Sequence, residues 1–274
     1  MSEKDRILAY YETFDEWGRL EREPIEFTVN WHFIQAHLPK QGHILDSGAG
    51  PGKYAMRLAQ CGYKVTLSDI TPKLVKQAQG KAEECGLLER FNGFHVADAR
   101  DLSCFGAEQF DASLMLGPMY HLQMESERAA AVKELYRVTK QAGVVFVAFM
   151  PRIRHVITSL LAPLHWKPND SADGIAEFMN TGVFNHSDEG RFTGAYYIDI
   201  EDIQPFMENN GFQTIKLIGS SNISSLLQRE QRDYWKQRGD EEMHKIIQIL
   251  IKSAENPYVL GVSPHVVYIG RKVS

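Results

Sequence analysis

Short apolar runs alternate with longer amphipathic stretches from residue 43 onward. His43–Asp46 reads as a short buried strand, and a helix begins near Lys53 and stops at Gly62. Lys64–Asp69 (KVTLSD) reads as a second strand. Thr71–Pro72 then opens a helix, Thr as N-cap and Pro in the first turn, where its missing N–H does no harm. Gly86 follows that helix as its C-cap. Phe94–Asp98 (FHVAD) is a third strand and Phe110–Leu116 (FDASLML) a fourth. Glu125–Lys140 is predicted helical, with Ala129, Val132, Leu135, Tyr136 and Val138 as its apolar stripe. Gly143–Met150 (GVVFVAFM) is apolar almost throughout, as expected of a strand covered on both faces. Such alternation predicts an α/β fold, a doubly wound and mostly parallel sheet.

The rhythm breaks at Pro151. Residues 151–198 contain the irregular APLHWKPND and a stretch around Asp188-Glu189-Gly190 that alternates like a β-hairpin. A helix (EDIQPFMENNGF, stopping at Gly211), a strand (QTIKLIG) and a last strand (HVVYIG) resume the core. Between those strands, residues 221–256 read as a helical insert whose six basic and six acidic side chains cancel. Interspersed signs of this kind mark a solvated face. The expected organisation is one domain over 1–274, with an N-terminal helical cover (1–30) and a cofactor-binding core (40–150). A lid or substrate insertion (151–198) and a C-terminal part of the core (199–274) complete it.

Composition narrows the class. A chain of 274 residues, 43% hydrophobic, can bury a full core. A net charge of −5 leaves no basic footprint for nucleic acid. Three separated cysteines form neither a disulfide framework nor a metal cluster, so no metal is expected. The start, MSEKDRILAYYETFDEW, is charged at once and has no signal-peptide apolar core. The longest apolar run, Val144–Met150, is far too short to span a bilayer. A cytoplasmic enzyme with no membrane partner is expected, its oligomeric state left open.

The chemistry centres on LDSGAGPGKY, residues 45–54. A phosphate loop needs Gly, four residues, then Gly-Lys-Ser/Thr; here Gly52-Lys53 is followed by Tyr54. The dinucleotide fingerprint needs Gly-x-Gly-x-x-Gly; here the glycines fall at Gly48, Gly50 and Gly52. What remains is an acid (Asp46) before a tight glycine turn and a second acid, Asp69, at the tip of the second strand. A carboxylate there suits a ribose diol, since it can accept both hydroxyl protons. Asp46 beside the turn favours a cation.

With VTLSD, VADARDL and FDASLMLG in order behind it, this motif resembles the class I S-adenosylmethionine-dependent methyltransferases, a Rossmann-like fold. The resemblance covers about residues 40–150 and resumes near 199. It implies S-adenosylmethionine as cofactor, with Asp46 near the aminoacyl end and Gly48, Gly50 and Gly52 beneath it. Asp69 would hold the ribose hydroxyls, with Ile70 beside it. Asp98 and the Ala99 backbone would meet the adenine, and Leu116 would lie at the end of the fourth strand. It also implies an N-terminal helix over the cofactor, where Tyr11 and Arg19 are the candidates. The activity implied is methyl transfer to a small molecule. An RNA- or protein-modifying methyltransferase, and a non-catalytic cofactor-binding protein, remain as alternatives.

Each candidate also has a plainer role. The glycines could make only a tight turn, Asp69 could cap the next helix, and Asp101 competes with Asp98 to face inward. Asp111 starts strand four, far from its carboxyl end, and reads as structural. In LGPMYHLQ (116–123), His121 is the first candidate for a base and Tyr120 the second; His121 could equally pack under the following helix. The Asn/Asp-Pro-Pro-Tyr box of amine and base methylators is absent there, which disfavours methylation of a nucleobase or glutamine nitrogen. Arg152, Arg154 and Lys167, with His155 and His165, are either a cradle for an anionic substrate or a solvated face, and exposure of long basic chains favours the second.

Overall fold

The computed structural model describes residues 17–18, 24–188 and 191–273. Tyr11 and Arg19, expected over the cofactor, lie outside the described residues. Helix α1 (Pro24–His37) precedes β1 (His43–Ser47), α2 (Lys53–Gln60), β2 (Lys64–Asp69), α3 (Pro72–Glu84) and β3 (Phe91–Val96). Then come β4 (Phe110–Met115), α4 (Glu125–Val138) and β5 (Thr139–Phe149). Residues 151–198 form α5 (Arg152–Leu161), α6 (Ala172–Thr181) and the strands β6 (Val183–Phe184) and β7 (Ala195–Tyr196). The chain closes with α7 (Ile200–Glu208), β8 (Phe212–Gly219), α8 (Arg229–Gln237), α9 (Asp240–Ser253), α10 (Pro257–Leu260) and β9 (Val266–Lys272).

Seven strands form one sheet in the order β3-β2-β1-β4-β5-β9-β8. The pairs β2–β3, β1–β2, β1–β4 and β4–β5 are parallel, while β9 runs antiparallel to both β5 and β8. The reversal brings the start of β9 to the carboxyl edge of the parallel strands. Strand β5 shows why the fifth strand reads as continuously apolar. Val144, Phe146 and Ala148 join the core under α1 and α2, whereas Val145, Val147 and Phe149 join the core under α4 and α7. Alternate side chains of a strand face opposite layers. Each such side chain, fully buried, contributes about 1.5–3 kcal/mol.

The helix expected to run to Lys140 stops at Val138, because Thr139 already belongs to β5 and pairs with Phe110. The Thr139 hydroxyl ties the junction, donating to the Leu135 carbonyl at 2.7 Å and meeting Ser113 Oγ at 2.8 Å. Residues 151–198 bury their own cluster: Val156, Phe178, Phe184, Ala195 and Tyr197, with Trp166 and Phe192 against it. The two short strands pair antiparallel, Val183 with Tyr196 and Phe184 with Ala195. Among the described residues no helix is long and apolar enough to cross a membrane.

Candidate functional site

A cleft opens along the carboxyl edge of β1, β2 and β4, about 1190 Å³ including its open mouth. Asp46, Gly48, Gly50, Asp69, Ile70, Asp98, Ala99, Leu116, Tyr120 and His121 all line it. Gly52 sits one turn back, and its role is packing: at φ +83° a β-carbon there would press on the Leu67 side chain at 2.8 Å. Gly48 is held at φ +66° with its N–H on the Ser68 carbonyl at 2.8 Å, and any side chain there would overlap the Pro118 ring. The glycine turn and the Gly117-Pro118 turn therefore touch, which sets the floor of the cleft. Lys53 Nζ stands over the Trp17 and Phe27 rings, 5.9 and 5.6 Å from their centroids.

Asp46 is buried, and loss of water pushes its carboxyl up to about 7. A bond from the Ala55 backbone opposes the rise, and the neighbouring Asp69 charge adds to it. Its Oδ2 has no hydrogen-bond partner among the described residues. An orphaned carboxylate oxygen in a cleft wall is a place for a donor or a cation. Asp69, at the tip of β2, accepts the Gly50 N–H on Oδ2 and the Thr71 N–H on Oδ1, each at 2.8 Å. It clamps the glycine turn to the start of α3. The expected Thr71 side-chain cap does not form; the Leu74 N–H meets the Thr71 backbone carbonyl at 3.0 Å instead.

Asp98 rather than Asp101 faces the cleft; Asp101 is exposed. Asp98 is gripped by Arg100 in a fork, Nη2 to Oδ2 at 2.6 Å and Nε to Oδ1 at 3.0 Å, and Arg100 also pairs with Glu127. Asp111 is structural, accepting His43 N and Lys140 Nζ at 2.8 and 2.7 Å. His121 reaches the cleft, but burial, with the nearby His265 charge, pulls its imidazole down to about 4. Its ring packs between Tyr120 and Phe192, at 4.9 and 5.4 Å.

No described residue of 151–198 lines the cleft; the segment stands behind Tyr120 and His121. The basic cradle does not form. Arg152 pairs with Asp199 at 2.8 Å, Lys167 faces Asp188 at 3.7 Å, Arg154 reaches the Ser225 carbonyl and His155 is packed among aromatic rings. Tertiary contacts, some to residues beyond the segment, claim these side chains.

Sequence reasoning missed Glu26 and Asn30 on α1, Tyr54, Ser220 and His265, all in the cleft wall. Asn30 donates to the Tyr54 hydroxyl at 3.0 Å. Glu26 and Asn30 lie one helical turn apart within an apolar run, Phe27, Val29, Trp31, Phe33 and Ile34, and buried polar residues in such a run are the signal that was there to read.

This is the architecture shared by S-adenosylmethionine-dependent methyltransferases. Residues 44–143 match the model of a family described as a methyltransferase domain. The chain is 30% identical over 142 residues to a glycine/sarcosine N-methyltransferase of Parasynechococcus marenigrum, covering 50% of this chain and 49% of that one. It is 29% identical over 192 residues to a tRNA (carboxymethyluridine(34)-5-O)-methyltransferase of Arabidopsis thaliana, covering 70% and 39%. The chain spans about half the length of the curated relatives it matches. Its fold superposes on magnesium protoporphyrin IX methyltransferase of Synechocystis, with S-adenosylmethionine bound, at a TM-score of 0.58 and 17% identity over 99% and 98% of the two chains. Residues 44–143 thus carry a methyltransferase domain, and the chain as a whole has the Rossmann-like fold of S-adenosylmethionine-dependent methyltransferases.

Proposed function

We propose that the protein transfers a methyl group from S-adenosylmethionine to a small-molecule acceptor by in-line displacement. The observation that carries this reading is the division of the cleft. One end presents Asp46, the glycine turn, Asp69 and Asp98; the other is walled by Leu116–His121, Glu26, Asn30 and His265. Asp46 would take the cationic aminoacyl end and Asp69 the ribose hydroxyls. Asp98 and Ala99 would meet the adenine, with Ile70 and Leu116 as apolar walls. The cofactor supplies a methyl that is already electrophilic, so the protein's task is to align the acceptor and exclude water. The segment 151–198 would brace the acceptor wall from behind. Among the described residues no lysine or arginine lines the acceptor end, and the one arginine in the wall, Arg100, is held by Asp98 and Glu127. That favours a neutral or cationic small molecule over a nucleic acid backbone.

Calorimetry tests the reading. S-Adenosylhomocysteine should bind and NAD should not; the reverse would sink it. The same titrations read Asp46. Its carboxyl is raised in the free protein, and a cationic ligand end favours the ionised form, so binding should release a proton near neutral pH. Affinity should be about tenfold weaker at pH 6 than at pH 8, as expected when a group of pKa about 7 must ionise to bind. Equal affinities, with no difference between buffers of high and low ionisation enthalpy, would detach Asp46 from the ligand. A screen of small acceptors with methyl-tritiated cofactor then identifies the product class.

A further inference from the structure

The acceptor end of the cleft holds a second histidine that neither strand tips nor glycine spacing reveals. His265 precedes β9, and because β9 runs antiparallel to β5 its first residue arrives at the carboxyl edge of the parallel strands. Its Nδ1 lies 3.2 Å from Glu26 Oε2, on α1. Glu26 is buried, and Ser221 Oγ donates to the same oxygen at 3.4 Å. The Tyr120 ring stands 5.4 Å from the His265 ring. Its Nε2, on the ring edge away from Glu26, makes no hydrogen bond among the described residues, and the residue lines the cleft.

We propose that His265, oriented by Glu26, is the proton acceptor for the methyl acceptor in this cleft. The inference rests on the methyl-transfer reading above. A carboxylate on Nδ1 fixes the tautomer with Nδ1 protonated, which leaves the Nε2 lone pair as the basic site. In the step this serves, a lone pair on the acceptor forms the new bond to the methyl carbon. The carbon–sulfur pair returns to sulfur, giving S-adenosylhomocysteine, and the acceptor's O–H or N–H proton passes to Nε2. His265 is the catalytic residue and Glu26 a positioning residue. Among the described residues, the groups facing His265 are Glu26 from α1, Ser221 after β8, and Tyr120 and His121 after β4. His121 is a poor base, since burial favours its neutral form so strongly that it has little affinity for a proton at neutral pH.

The test needs no acceptor. Protein labelled with nitrogen-15 in histidine and saturated with S-adenosylhomocysteine is read by long-range nitrogen–carbon-bound-proton NMR at neutral pH, with His265→Gln to assign the signal. His265 should show a protonated Nδ1 and a bare Nε2, and Glu26→Gln should lose that single tautomer while S-adenosylhomocysteine still binds. Diethyl pyrocarbonate, which reacts at an unprotonated imidazole nitrogen, should modify His265 and spare His121 in peptide maps. A protonated Nε2 in the wild type, a tautomer unmoved by Glu26→Gln, or a His265 inert to the reagent would each overturn the dyad. Loss of S-adenosylhomocysteine binding by the wild type would instead overturn the methyl-transfer reading itself.

Discussion

Asp69→Ala is expected to weaken the protein and its grip on the cofactor together. In the folded chain the carboxylate accepts two buried backbone N–H groups, Gly50 and Thr71. Removing it leaves both donors without their acceptor, at about 1–3 kcal/mol each, so a stability loss of roughly 2–6 kcal/mol follows. Binding of S-adenosylhomocysteine should fall by about 1.5–3 kcal/mol more, the usual worth of hydrogen bonds to a charged group. Asp69→Asn separates the parts. Its amide oxygen can still accept one of the two N–H groups, while its NH2 meets the other and repels it. Urea denaturation and calorimetry on both variants read the two quantities independently. Unchanged affinity with lowered stability would make Asp69 a clamp for the glycine turn alone; the opposite pattern would mean that the backbone bonds contribute little.

Acidification from pH 6.5 should destabilise the protein through two buried imidazoles. Burial, with His265 nearby, lowers His121 to about 4; burial, with His186 nearby, lowers His155 to about 3. Below the ordinary value of 6.5 the unfolded chain takes up protons that the folded chain refuses. Each histidine's contribution is therefore fully present above pH 6.5 and is lost as pH falls towards its folded value, about 3 kcal/mol or more apiece. Asp46 acts with the opposite sign: raised to about 7, it holds a proton in the folded state that the unfolded chain releases, so its contribution grows as pH falls from 7 towards 3.8. Two terms against one leave a net acid loss. His155 is enclosed by Phe184, Tyr197, Phe178 and Trp166, with ring centroids 4.4–5.0 Å away, and a leucine there removes one titrating group from this aromatic cluster. His155→Leu should flatten the slope of stability against pH between 6.5 and 4.5 by up to about 1.4 kcal/mol per pH unit. A slope equal to the wild type's would show that His155 does not resist protonation in the fold.

Local patterning carried most of the core. Strand and helix positions from His43 to Phe149 follow from period and turn chemistry, since each element's apolar face and each glycine stop are local properties. The acids at the tips of β1 and β2 were legible for the same reason, because their place relative to the glycine turn is fixed by a few bonds of chain. Boundaries such as Val138–Thr139 were not legible: a threonine at a helix end can cap, back-bond or pair, and only the facing strand at Phe110 decides.

By itself, then, the sequence determined the sheet class, the glycine turn and the acids that line the cleft beside it, because short-range spacing governs all of them. The tertiary structure alone decided three other matters. Arg152, Arg154 and Lys167 became structural ties rather than a cradle, since their partners Asp199, Ser225 and Asp188 are brought close only by folding. His121 became a neutral packed ring, since burial is a property of the whole molecule. Glu26 and His265, 239 residues apart in the chain, meet at 3.2 Å because α1 covers the cleft and β9 runs backwards along β5. No local pattern encodes a contact whose two halves are placed by the two ends of the fold.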